Sequence, residues 1–188
     1  MATEPKTTGL TYEDLQKFPD DHLRREIIDG DLVVTPSPVL RHQRAVRELI
    51  YLLVNYCRAH GGEIYPAPTD VFFSDTNVVV PDVLLVRADR LHRLKDDRYI
   101  EVAPDLVVEV SSPGTRRIDL GRRKDLYQRF GVPEYWFVDL EANRFEVYRL
   151  SSGRYGSAAF VGRGETVESP ILPGLEIPVD DVLGPSES

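Results

Sequence analysis

Asp105-Leu-Val-Val-Glu109-Val110-Ser111-Ser112-Pro113-Gly114 is the stretch whose reading decides the fold. Leu106, Val107, Val108 and Val110 leave only one polar position in the run. A strand apolar at nearly every position, rather than at every second one, is covered on both faces and lies inside a sheet. Ser111-Ser112-Pro113-Gly114 then supplies turn residues that end it. A carboxylate within such a strand is costly to desolvate unless it is paired, protonated or bound to a cation. Glu109 therefore needs a partner, either a buried arginine or a metal ion.

Working outward, the segment after the turn reads as a helix from about Ile118 to Phe130, stopped by Gly131-Val132-Pro133. Glu134–Asp139 and Arg144–Leu150 follow as strands, and from Gly153 onward the chain reads as a β appendage with turns at Gly162, Gly164 and Pro173-Gly174. On the N-terminal side, Val71–Phe73, Val78–Val80 and Val83–Val86 are β-branched or aromatic runs separated by turn residues. Asp89–Tyr99 is charged and is expected to be a loop with a short helix. Val46, Leu49, Ile50, Leu53 and Val54 recur at helical spacing between Val39 and His60, and Gly61-Gly62 ends that pattern.

Earlier still, Arg25–Ile28 and Leu32–Thr35 flank Asp29-Gly30, the signature of a tight hairpin, and Pro36-Ser37-Pro38 breaks the second strand. Thr11 is the expected N-cap of a short helix, with Asp14 in its first turn. Polar residues 1–9 and 184–188 are expected to fray. The expectation is one mixed α/β domain over residues 10–183: a mixed sheet flanked by helices, with an N-terminal hairpin and a C-terminal β appendage.

The bulk properties bound the function. A chain of 188 residues can bury a substantial core. No apolar run approaches the roughly 20 residues that span a bilayer, and Met1–Lys6 has no secretory apolar core, so a cytoplasmic protein is expected. Cys57 is the only cysteine, which excludes an internal disulfide and a multi-thiolate zinc knuckle. The net charge of −8 disfavours wholesale attraction to nucleic acid. Yet Arg116, Arg117, Arg122, Arg123, Lys124 and Arg129 cluster against only Asp119 and Asp125, a local patch able to meet phosphates. There is no phosphate-cradling Walker loop and no dinucleotide fingerprint.

Three further positions carry chemistry. Pro81-Asp82 leads directly into Val83–Val86. Alone it reads as a turn aspartate, but two acids on neighbouring strands can hold a hard divalent ion, and magnesium needs few carboxylates. Leu120, Lys124 and Tyr127 share one side of a helical wheel, which places Lys124 at the edge of the core-facing stripe. Its stem can cross apolar surface toward a strand-borne site, or it can simply snorkel. Tyr127 and Trp136 read as core aromatics, and Asp119 as a helix cap. Glu26 and His42 stand where each could contribute to a site, Glu26 otherwise pairing with an arginine and His42 otherwise capping or packing. Glu48 is a weaker alternative.

Pro81-Asp82, Asp105-x3-Glu109-x3-Pro113, Asp119-x4-Lys124-x2-Tyr127 and Gly131-Val-Pro-Glu-Tyr-Trp-Phe-Val-Asp139 occur in this order, after Glu26-Ile-Ile-Asp-Gly30 and Ser37-Pro-x3-His42. Over residues 12–180 the series resembles the Uma2 family, grouped with the PD-(D/E)XK endonucleases. The resemblance implies a restriction-endonuclease-like fold, DNA as substrate, and Mg²⁺ or Mn²⁺ held by Asp82, Glu109 and the Val110 carbonyl. The superfamily lysine falls at Ser111, so Lys124 is the implied migrated replacement. Glu26 or His42 would complete the site, with Arg116, Arg117, Arg122 and Arg123 on DNA phosphates. Double-strand cutting would suit a homodimer. The alternative is a non-catalytic nucleic-acid or protein interaction module on the same fold.

Overall fold

The strand built on Leu106–Val110 lies in the interior of a mixed seven-stranded sheet, buried on both faces. The computed structural model describes residues 8–185 apart from Asp20, His22, Pro36 and Pro113. The strand-breaking role read for Pro36, the turn role of Pro113 and most of the two tails lie outside the described residues.

The chain begins with α1 (Tyr12–Leu15), the hairpin β1 (Arg24–Ile28) and β2 (Asp31–Thr35), and the long α2 (Leu40–His60). β3 (Glu63–Pro66), β4 (Val71–Ser74), β5 (Asn77–Val79), β6 (Val83–Val86) and β7 (Leu106–Val110) follow. A helical arm comes next: α3 (Arg116–Ile118), a π-helical stretch (Asp119–Arg123) and α4 (Lys124–Arg129). It leads to β8 (Glu134–Asp139) and β9 (Arg144–Ser151). β10 (Arg154–Tyr155), β11 (Ala159–Gly162), β12 (Thr166–Glu168), β13 (Glu176–Pro178) and α5 (Val179–Leu183) complete the described chain.

Local chemistry explains the boundaries. Thr11 caps α1 in a reciprocal box, accepting from the Asp14 amide while its own amide donates to the Asp14 carboxylate at 3.1 Å. Asp29 and Gly30 both take positive φ at the hairpin tip. A Cβ at Gly30 would also meet the Gly9 backbone at 3.2 Å, so the turn and the neighbouring segment together demand glycine. Gly61 (φ 77°) ends α2.

The large sheet runs β10-β9-β8-β7-β6-β3, with β11 also on β9. Of its pairings only β7–β8 is parallel, and the helical arm is the crossover that parallel pairing requires. On one face Leu106, Val108 and Val110 pack with Leu49 and Leu53 of α2 and with Val182 and Leu183 of α5. The C-terminal segment is thus more than a β appendage, because α5 closes this half of the core. On the other face Val107, Leu84 and Phe137 meet Leu126 and Tyr127 of α4. A second sheet, ordered β2-β1-β5-β4, covers that same face with Ile28, Val33 and Val79. Burying each Leu or Val contributes about 1.5–3 kcal/mol, enough for β7 to carry one costly acid. The architecture is a mixed α/β fold, a mixed sheet flanked by helices.

Candidate active site

Val83 pairs with Val108 in the antiparallel β6–β7 register, so the next pair outward is Asp82 and Glu109. Side chains alternate along strands, which puts Asp82 on the face of Leu84 and Glu109 on the face of Val107. Both acids therefore point to the side covered by α4 and the small sheet, and both are buried. Glu26 arrives on that side from β1, sharing a face with Arg24 and Ile28. His42 arrives from the first turn of α2, at the top of the buried stripe His42, Ala45, Leu49, Leu53.

The contacts are specific. Asp82 Oδ1 accepts from Arg24 Nη1 at 2.8 Å, and Oδ2 accepts from the Val110 amide at 2.8 Å while lying 3.1 Å from His42 Nε2. Glu109 Oε1 accepts from the Tyr127 hydroxyl at 2.7 Å. Its guanidinium neighbours are more distant: Arg24 Nη2 at 3.5 Å from Oε2, and Arg123 Nε at 3.8 Å from Oε1. Glu26 accepts from the Val80 amide at 2.7 Å and pairs with Arg123, which also pairs with Asp119. A cavity of about 100 Å³ opens beside Asp82, Glu109 and Arg24, and the Thr115 and His42 side chains line it.

The two strand acids hold their protons very differently. Burial opposes charge on Asp82, but His42, Arg24 and the Val110 amide outweigh it and hold its carboxyl at about 2. Burial pushes Glu109 up to about 8, helped by the nearby Asp82 charge and only partly opposed by Arg123 and Arg24. Burial likewise raises Asp119. Four carboxylates, Glu26, Asp82, Glu109 and Asp119, thus face two guanidiniums, Arg24 and Arg123. With all four ionised, two negative charges would remain uncompensated.

That deficit and the oxygen-rich donor set fit a hard divalent ion such as Mg²⁺ or Mn²⁺. On residues that line the cavity, Arg24 Nε, Arg24 Nη2, Arg123 Nε and His42 Nδ1 are buried without hydrogen-bond partners among the described residues, the mark of a pocket whose polar groups are not fully served by the protein. Among the described residues no three acidic, imidazole or thiol side chains are prearranged as a metal cage. Arg24 instead stands between the two strand acids.

Several expected residues lie elsewhere. Lys124 does not reach the cavity; its Nζ sits 4.9 Å from the centre of the Tyr148 ring. The buried stripe of the helical arm is Asp119, Arg123, Leu126 and Tyr127, one residue out of phase with the stripe that contained Lys124. Arg123 is 1 % exposed and ion-paired, so it is no surface contact for DNA. Arg116 pairs with Asp139, and Arg122 with Asp31. Arg117 is exposed. Glu48 pairs with Arg47, away from the cavity. Ser111, at the superfamily lysine position, accepts the Leu140 amide at 2.9 Å. Val110 presents its amide to Asp82. Asp119 pairs rather than caps, and Tyr127 joins the site while Trp136 remains in the core.

Sequence reasoning also missed Arg24, and it read Arg123 as a phosphate contact rather than as the internal partner of Glu26 and Asp119. The signal available for both was a cation on the same strand face, or at helical spacing, as a buried acid: Arg24 with Glu26, and Arg123 with Asp119. Among the described residues no helix is long and apolar enough to cross a membrane.

Comparison with known proteins bears on the fold. A solved structure described as "a putative nuclease belonging to DUF820" from Anabaena variabilis ATCC 29413 superposes with a TM-score of 0.77. It is 18% identical, and the match covers 93% of this chain and 97% of that one, which shows a shared fold. No curated protein matches. The profile of the Uma2 family, described as "Putative restriction endonuclease", matches residues 11–180, and the chain belongs to that family.

Proposed function

We propose that this protein is a metal-dependent endonuclease that hydrolyses DNA phosphodiester bonds at the Asp82–Glu109 cavity. The observation that carries this reading is Glu109: a buried carboxylate beside Asp82, hydrogen-bonded by a neutral hydroxyl, with no guanidinium closer than 3.5 Å. A purely structural acid in the core would be expected to have a close ionic partner. Glu109 has the environment of a ligand whose cation arrives from outside.

Asp82, Glu109 and the Val110 carbonyl are the residues that would hold Mg²⁺ or Mn²⁺. A bound ion of this kind lowers the pKa of a coordinated water and offsets phosphate charge. The protein groups supply the rest. His42 and the Val110 amide fix one oxygen of Asp82, leaving its orientation determined. Tyr127 fixes Glu109 in the same way. Arg123, which lines the cavity, is held in place by its pairs with Glu26 and Asp119. In this reading the positive charge facing substrate belongs to Arg24, which is partly exposed, and not to Lys124.

Purified protein should cut plasmid or oligonucleotide DNA with magnesium or manganese. Glu109→Ala should abolish cutting while circular dichroism shows the fold intact. Undiminished cutting by that variant would remove Glu109 from the mechanism. The rival reading, a non-catalytic interaction module, draws on the −8 net charge and on the pairing of Arg116 and Arg122 with acids. Calorimetry separates the two, because a dead module has no manganese site that depends on Glu109.

A further inference from the structure

Arg24 occupies an unusual position. Its guanidinium is 2.8 Å from Asp82, 3.5 Å from Glu109 and 3.7 Å from Glu26, so one cation faces three acids contributed by three strand segments. The fit is incomplete. Only Nη1 makes a short bond to one of these acids, whereas Nε and Nη2 are buried without hydrogen-bond partners. An arginine with a permanent structural role normally engages its planar fork in paired bonds, as that geometry allows.

Arg123 provides the internal contrast. It is 1 % exposed, and although its Nε, like that of Arg24, lacks a hydrogen-bond partner, both of its Nη atoms are bonded, one to Asp119 and one to Glu26. The Arg24 side chain retains 21% exposure. It forms a wall between the small cavity holding Asp82 and Glu109 and a larger cleft of about 520 Å³. Asp70 lines that cleft, and burial raises its carboxyl with help from the Glu26 charge. The cleft therefore offers Arg24 both space and an acid that has no paired cation among the described residues.

We propose that Arg24 is an internal counter-ion that bridges Asp82 and Glu109 in the metal-free protein and leaves them for the adjoining cleft when a divalent ion binds. This rests on the metal reading of Asp82 and Glu109 given above. The physical logic is exchange: two acids forced together on adjacent strands repel unless a positive charge stands between them, and a second cation competes for that place. Arg24 lowers the cost of the empty site, and the same contact weakens metal binding by the energy needed to break it. Arg24 thus sets the metal concentration at which the site fills.

The test is manganese affinity measured by calorimetry without DNA. Arg24→Met removes the charge and keeps most of the side-chain volume, and it should lower the Kd for Mn²⁺ at least tenfold relative to wild type. Arg24→Gln retains a donor for Asp82 and should move the Kd the same way if the Met variant fails to fold. Binding by either folded variant that equals or falls below wild type overturns the proposal while leaving the metal site intact. No carboxylate-dependent binding by wild type or variants overturns the metal reading as well. On wild-type protein, the ¹⁵Nε resonance of Arg24 should shift during a Mg²⁺ titration and that of Arg123 should stay in place. An Arg24 resonance unmoved at saturating Mg²⁺ would refute the exchange directly.

Discussion

Asp82 and Glu109 occupy adjoining positions on the antiparallel β6–β7 pair and point to the same face, yet one is held at about 2 and the other at about 8. The asymmetry follows from their partners. Asp82 has three close polar partners, Arg24, the Val110 amide and His42. Glu109 takes a phenol. Two acids this close cannot both stay ionised cheaply in a buried site, and the better-solvated one keeps the charge.

Stability without metal should therefore fall as pH rises from about 4.5 to about 8 through Glu109. Native Glu109 retains its proton over that window while the unfolded chain has released it, so the native state binds more protons and loses stability with rising pH. Asp82 acts in the opposite sense: its contribution is present above its ordinary value near 3.8 and lost as pH falls toward about 2. Thermal melts in EDTA across this range should show the decline, and Glu109→Gln should flatten it. An equally steep decline in the Gln variant would mean that another group causes it.

Metal binding should release a proton from the same carboxyl. Manganese affinity is expected to rise with pH up to about 8 and then level off as Glu109 becomes ionised without metal. Calorimetry in two buffers of different ionisation enthalpy gives the proton count. Near pH 6 it should approach one proton per ion, and it should fall toward zero in Glu109→Gln.

His42 holds Asp82 from the N-terminal turn of α2, 3.1 Å away. Residues that orient a metal ligand typically account for about 10–100-fold in metal affinity or activity. His42→Ala should lose cutting in that range and remain folded, with His42→Gln recovering part of it through a retained amide donor. A full-activity His42→Ala protein would reduce His42 to a packing residue.

Much of this architecture was legible in the chain because apolar pattern and turn chemistry agree. Leu106–Val110 announced a buried strand, Asp29-Gly30 a hairpin, and Gly61 the end of α2. Glu109 was legible for the converse reason, an acid where none is comfortable. β3 was hidden because Glu63-Ile64-Tyr65-Pro66 is short and its end residues are exposed. α5 was hidden because Val179–Leu183 is a single turn whose helical state depends on packing against α2. The arm misled most. A hydrophobicity criterion selects Leu120, Lys124 and Tyr127, whereas the buried stripe includes Asp119 and Arg123, which pair with one another, Arg123 also pairing with Glu26. The pairing of Arg123 with Glu26, far away in sequence, leaves no local trace.

That reassignment can be measured. Arg123→Met leaves Glu26 and Asp119 buried without their cation, and breaking such a pair costs about 3–5 kcal/mol. Lys124→Met removes a half-buried ammonium from the Tyr148 face, a loss of about 0.5–1 kcal/mol. Urea melts should rank the two variants in this order, and Lys124→Met should retain most of its DNA cutting. Abolished cutting in a stable Lys124→Met protein would return the catalytic cation to Lys124.

Ser111 stands where the sequence resemblance would lead one to expect lysine, and the structure gives it a different task. Its hydroxyl accepts the Leu140 amide at 2.9 Å, and its own amide donates to the Val138 carbonyl, so it ties the end of β7 to the end of β8. The side chain is buried. Ser111→Ala leaves the Leu140 amide unserved and should cost about 1–3 kcal/mol, while Ser111→Thr keeps the acceptor and should cost less. Ser111→Lys would bury an ammonium and remove the acceptor together, so it should destabilise more than Ala and fail to raise cutting. A stable and more active Ser111→Lys protein would show that this site can still use the superfamily lysine, and that the β7–β8 tie is dispensable.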